Sequence, residues 1–244
     1  MTSAPRQALR RSSLWMRELL RDKVRRAIAF TVMSIPANLL FAAWKVVLAV
    51  QERSVFILAA AAFNIGLAVI KFVLVRAHIR VLAVPAHRGI TIDPGLAALR
   101  AQREYRFTGL LIILLSIGFV VGSLPLTFAV ERFGTLSTWS SIQIAALSFV
   151  EFGLAVHGMV SARRNRTPLV EAVKWANLAG SLVLLALAQT ALMTSEHSSP
   201  NERYFGGSGV VFGLAAAACG FGMVVRVARG RLYVDRSSQV DPIT

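Results

Sequence analysis

The chain has 244 residues, of which 55% are hydrophobic and 16% charged, and it carries a net charge of +15. A soluble domain of this length cannot bury so much apolar surface, which excludes the soluble globular classes. Closed β-barrels are excluded as well, because stretches such as GLLIILLSIGFVV lack the period-two alternation of a spanning strand.

Residues 1–26 form a basic N-terminal segment. Within it, residues 8–24 set Leu9, Trp15, Met16, Leu19, Leu20 and Val24 against several arginines. That pattern fits an amphipathic helix on the inner membrane surface, and equally a charged extension of the helix that follows. Six apolar segments come next, over 27–50, 54–75, 107–130, 139–162, 169–193 and 208–225. Each is near the ~20 residues an α-helix needs to cross a ~30 Å hydrocarbon layer. The first is about twice the length of a signal-peptide core and has no small-x-small site after it, so it reads as a retained helix. In the fifth, Thr167 is placed as N-cap with Pro168 at the first helical position. Glu171 and Lys174, three apart, are expected to pair at the inner interface, where removing the pair costs well under ~1 kcal/mol. Residues 227–244 form a tail. The expected fold is all-α: a polytopic membrane protein with six transmembrane helices in a bundle over 27–226.

Charge sets the expected orientation. Lys and Arg number eight in 6–26, six in 76–106, three in 163–166 and four in 226–236, whereas Arg53, Arg132 and Arg203 stand singly in the other connections. Basic residues near helix ends stay cytoplasmic, so both termini are expected inside, in a multi-pass protein of the plasma membrane. The same distribution explains the net charge without nucleic acid as a partner. The expected partners are the lipid bilayer and the anionic headgroups of its cytoplasmic face. Arginine outnumbers lysine 23 to 4, which fits a GC-rich bacterial source.

Packing signals are visible. Gly118 and Gly122 make a G-x-x-x-G, and Gly209, Gly213 and Ala217 line one face of the sixth segment. Such faces let helix backbones approach closely, within the bundle or between copies in a homo-oligomer. Pro36 and Pro125 should loosen their helices. NIGLAVIKFVLVR at 64–76 and EFGLAVHGMVSAR at 151–163 share six of thirteen positions. A duplicated helical hairpin would produce this, and so would chance among common apolar residues.

Motifs for chemistry are few. GGSGVVFG at 206–213 looks locally like the G-x-S-G around the nucleophile of rhomboid-type intramembrane proteases. That reaction needs a histidine base in reach of Ser208. No helix follows to carry one, and His157 is placed near the opposite side of the membrane. An enzyme is therefore not expected, with an intramembrane serine protease at Ser208 as the exception. Cys219 and the histidines fit no metal-ligand spacing, and no cofactor motif is present.

The ordered stretches SIPANLLFAAWK, LAVIKFVLVR and EYRFTGLLIILL are similar to an uncharacterised family of bacterial six-helix integral membrane proteins. EAVKWANLAGSLVLLALAQTALM, with Ala172, Lys174, Gln189, Thr190 and Met193 in place, and GGSG complete the resemblance. That family often has arginine where Lys71 stands and paired tyrosines near Phe63 and Asn64, from which this chain departs. The resemblance implies the six-helix fold and brings no activity, cofactor or site residue.

The candidate working groups are the polar residues inside the apolar segments: Asn38, Lys45, Asn64, Lys71, Glu151, His157, Asn177 and Gln189. A charge at mid-bilayer costs about 2.5–3.5 kcal/mol on insertion scales, so such groups usually face a bundle interior. Asn38 precedes Lys45 by seven residues and Asn64 precedes Lys71 by seven, two turns that put each pair on one face. Either lysine could instead snorkel to an interface. Glu151 is too short and too central to do so, and is expected to be neutral or paired with a lysine. At ~1.5 Å per residue Glu151 lies about 18 Å from the outer boundary, Lys71 about 25 Å and Lys45 about 9 Å, which makes Lys71 the expected partner. Two functions follow: a transporter or channel for an ion or small solute with a polar interior around Glu151, or a non-transporting scaffold or accessory subunit whose polar groups hold helices together.

Overall fold

The computed structural model describes residues 23–88, 94–128, 138–162, 168–196 and 205–229. It forms six helices, α1 (Lys23–Glu52), α2 (Val55–Arg88), α3 (Pro94–Thr127), α4 (Thr138–Ala162), α5 (Pro168–Glu196) and α6 (Phe205–Ala228), and no strand among these residues. Five of them are long and apolar enough to cross a membrane. The apolar part of α4, Ser141–His157, is shorter. The fold is an all-α polytopic membrane bundle. The amphipathic stretch proposed for residues 8–24, apart from Lys23 and Val24 at the start of α1, the N-cap at Thr167 and most of the tail lie outside the described residues.

The helices outrun the apolar segments at the arginine-rich end. Residues 76–88 and 94–106, expected in a connection, continue α2 and α3 as helix. Arg, Ala, Leu and Gln there are good helix formers, so helicity does not stop where hydrophobicity does.

Helices α1 and α2 meet in a turn of two residues. Arg53 takes a left-handed conformation (φ 50°), and the Ser54 N–H donates to the Ala49 carbonyl at 3.0 Å, which closes α1. The Ser54 hydroxyl oxygen accepts the Ile57 N–H at 3.4 Å and so caps α2. Near the prolines inside α1 and α3, side-chain hydroxyls bond back to carbonyls: Ser34 to Thr31 at 2.8 Å and Ser123 to Val120 at 2.7 Å. Such bonds help a spanning helix tolerate proline.

Helix α5 touches all five other helices. Its sequence explains this: Ala172, Ala176, Ala179, Ala186, Ala188 and Ala191 are at most 1% exposed, and small side chains on several faces let several neighbours come close. The largest interface joins α3 to α6. Their backbones cross at Gly109 and Gly220, where a Cβ on Gly220 would stand 2.6 Å from the Gly109 carbonyl oxygen. Nearer the other end, Gly209 lies on Ser123 and Phe56, and Gly213 on Val120 and Phe119. Phe119 stacks between α2 residues, with ring centroids 5.4 Å from Phe56 and 6.4 Å from Phe63. The G-x-x-x-G of α3 is half used, because Gly122 lies on Ala59 and Gly118 faces open space.

Candidate intramembrane site

Helix α1 buries one stripe, in which Thr31, Asn38 and Lys45 recur every seven residues beside Ala42 and Ala49. Lys45 is 0% exposed, and its Nζ has no hydrogen-bond partner; the Asn38 Nδ2 is likewise buried and unpartnered. On α2, Asn64 and Lys71 are 5% and 4% exposed. Neither lysine snorkels out of the bundle.

The short turn sets the register of these groups. Lys45 stands eight residues before Arg53 and Asn64 ten after Ser54; Asn38 stands fifteen before and Lys71 seventeen after. At 1.5 Å per residue, each lysine is therefore within about 3 Å of the height of the other helix's asparagine. Two Asn-x6-Lys stripes running in opposite directions give two mixed Asn–Lys levels.

Glu151 lies half-buried on the face of α4 that carries Ile144, Ser148 and Ala155, the face packed on α5. Among the described residues, no Cα of α4 comes within 8 Å of α1 or α2. Lys45 and Lys71 are nevertheless the two cationic groups whose fields reach the Glu151 carboxylate. No lysine approaches it to ion-pair distance; the ion pair among the described residues is elsewhere. The expected close Glu151–Lys71 pair is thus corrected: among the described residues Glu151 makes no ion pair with either lysine. Counting depth leaves out lateral distance, and α4 packs on α5 rather than on α1 or α2.

The other candidates fall outside this cluster. His157 on α4 and Gln189 on α5 are exposed on the outer surface of the bundle, and Asn177 on α5 is partly buried. The Ser208 hydroxyl lies 3.2 Å from that of Thr190, which itself donates to the Ala186 carbonyl at 2.9 Å; the contact ties α6 to α5.

A second polar cluster, at the arginine-rich end, was not expected. Glu171 Oε1 accepts from the Tyr105 hydroxyl at 3.3 Å, from the Trp175 indole N–H at 3.4 Å, and from the Arg226 guanidinium. Arg226 also lies 5.4 Å from the Trp175 ring centroid. Three helices, α3, α5 and α6, are clamped through one carboxylate oxygen. This corrects the expected Glu171–Lys174 pair: Lys174 feels Glu171 only at longer range. The spacing of three along one helix drew attention to Lys174, whereas Tyr105 and Arg226 come from helices far away in sequence. Their signal was an aromatic and a basic residue at the interface ends of two apolar segments.

Fold and site together define a polytopic helical membrane protein with a buried, incompletely paired charge cluster. No family model matches the chain, and no curated protein matches it.

Proposed function

We propose that the protein is a transporter or channel for an ion or small solute, working in the plasma membrane with both termini cytoplasmic, and that it belongs to the bacterial six-helix family it resembles. The observation that carries the reading is Lys45. A wholly buried ammonium without a hydrogen-bond partner is a costly feature, and in native proteins such a group calls for an explanation outside packing. The nearest opposite charge in the bundle, Glu151, lies on α4, which packs on α5 and, among the described residues, does not meet α1. A pure helix–helix tie would satisfy the ammonium with direct bonds, as Glu171 does for its donors at the arginine-rich end. The charge asymmetry of the connections supports the orientation.

The test is Lys45→Met in the full chain, read by ion flux in proteoliposomes and by melting in detergent. Among the described residues Lys45 has no hydrogen-bond or ion-pair partner to lose, so an apolar side chain of similar volume removes a buried charge that no contact compensates. Transport predicts flux in the wild type that falls at least tenfold in the variant, with an unchanged or higher melting temperature. The alternative, a scaffold held together by its polar groups, predicts no flux and a lower melting temperature. Either of those two results sinks the transport reading.

A further inference from the structure

The first turns of α3 carry a groove unrelated to the buried cluster. It is an open concavity of about 580 Å³, lined by Arg100, Arg103, Glu104, Arg106, Phe107 and Leu110. All three arginines are exposed. Glu104 interacts with Arg100, whereas Arg103 and Arg106 have no carboxylate at ion-pair distance among the described residues. Two guanidinium groups therefore stand ready beside an apolar wall.

That wall continues along the membrane-spanning part of α3. Phe107, Leu110, Leu114, Ile117 and Val121 follow Arg103 at steps of three and four residues, and are 48–64% exposed. The opposite face of the helix, with Tyr105, Ile112 and Phe119, is at most 1% exposed. From Phe107 to Val121 the stripe runs about 21 Å at 1.5 Å per residue, enough to cover one leaflet of a ~30 Å hydrocarbon core. A cationic head site sits on top of an apolar track long enough for an acyl chain.

We propose that this groove binds an anionic phospholipid of the leaflet at the arginine-rich end. Arg103 and Arg106 hold the phosphodiester by charge-assisted hydrogen bonds, and an acyl chain lies along the stripe that starts at Phe107. Charge complementarity and the continuity of head site and track commit the groove to a lipid rather than to a soluble phosphate. A zwitterionic headgroup brings a cation to the same arginines and binds more weakly.

The experiment titrates the purified full chain in detergent with phosphatidylglycerol or phosphatidylcholine, and counts bound lipid by native mass spectrometry. Phosphatidylglycerol should be retained in preference to phosphatidylcholine. A basic residue near an anionic headgroup contributes about 1 kcal/mol, so Arg103→Gln with Arg106→Gln should weaken retention about thirtyfold. Leu110→Trp, which fills the groove at a 48% exposed position and leaves the charge unchanged, should also abolish it. Arg76→Gln, at an exposed arginine of α2 at the same end, should have no effect. Equal retention of the two lipids, or undiminished retention by the double variant or by Leu110→Trp, overturns the proposal. So does an equal loss in Arg76→Gln, which would mark a diffuse charge effect. Competition by millimolar glycerol phosphate as effective as that by the lipid would assign the arginines to a soluble anion, and overturns it too.

Discussion

Glu171 is the most exposed test of the packing argument. Glu171→Ala removes an acceptor shared by three donors on three helices. The three losses are unequal. The ion pair with Arg226 is open to solvent, with side chains 49% and 26% exposed, so it contributes well under ~1 kcal/mol. The Trp175 bond at 3.4 Å is long and adds a few tenths. Once Arg226 is released, its contact with the Trp175 ring goes as well, about 0.5–1 kcal/mol. Tyr105 dominates. The residue is 1% exposed and loses its acceptor, while Arg226 also lies within hydrogen-bonding reach of its hydroxyl, so the loss is about 1–2 kcal/mol. The sum is about 2–4 kcal/mol, on the order of 5–10 °C in melting temperature for a chain of this size. Glu171→Gln, which keeps an acceptor oxygen, should cost under half of that. The decisive arm is a double-mutant cycle with Tyr105→Phe, measured by thermal melting in detergent. With no hydroxyl to strand, Glu171→Ala should be milder by about 1–2 kcal/mol in the Tyr105→Phe background. Equal losses in the two backgrounds would refute the clamp.

Other expectations follow from single contacts. Gly220→Ala should destabilise by about 1–3 kcal/mol, because its Cβ would meet a backbone oxygen that cannot move aside; a neutral result by melting would deny the close α3–α6 crossing. Gly118→Ala faces open space and should be silent or slightly stabilising, whereas Gly122→Ala, 2.4 Å from the Ala59 Cβ, should not be. Arg53→Gly relieves a left-handed backbone and should raise stability by up to about 1 kcal/mol, with flux as the control for function. In intact cells, a cysteine placed at Ser198 should react with an impermeant thiol reagent and one at Ala86 should not; the reverse pattern would invert the proposed topology.

The bundle was legible because its signal is redundant. Runs such as GLLIILLSIGFVV and SLVLLALAQTALM leave few alternatives to a spanning helix, and their number gives the fold class directly. The ends of the helices were less legible. Hydropathy reports where the membrane stops, and α2 and α3 continue past that point as polar helix. Packing was half legible. The small face of α6 does pack on α3 through Gly209 and Gly213, whereas the G-x-x-x-G of α3 does not meet α6, and no spacing within one segment connects Gly109 with Gly220. The centrality of α5 was written in alanines, which are too common in apolar runs to stand out, and was therefore missed.

The charged cluster shows the same limit at the level of the site. Heptad spacing establishes that Asn38 and Lys45 share a face of one helix, and Asn64 and Lys71 a face of another. It says nothing of how the two faces are aligned. That alignment depends on the length of the α1–α2 turn, and a connection of only Arg53 and Ser54 puts the asparagine of each stripe near the height of the other's lysine. The repeated pair therefore does not require two copies of one site. An antiparallel hairpin needs the motif twice to present polar groups at two depths along a single interior, and Glu151 on α4 feels both lysines from across that interior. Both levels are buried, with Lys45 0% and Lys71 4% exposed, but of the two lysines it is Lys45 whose ammonium lacks a hydrogen-bond partner. That is why Lys45, rather than Lys71, is the position at which substitution should separate stability from the proposed function.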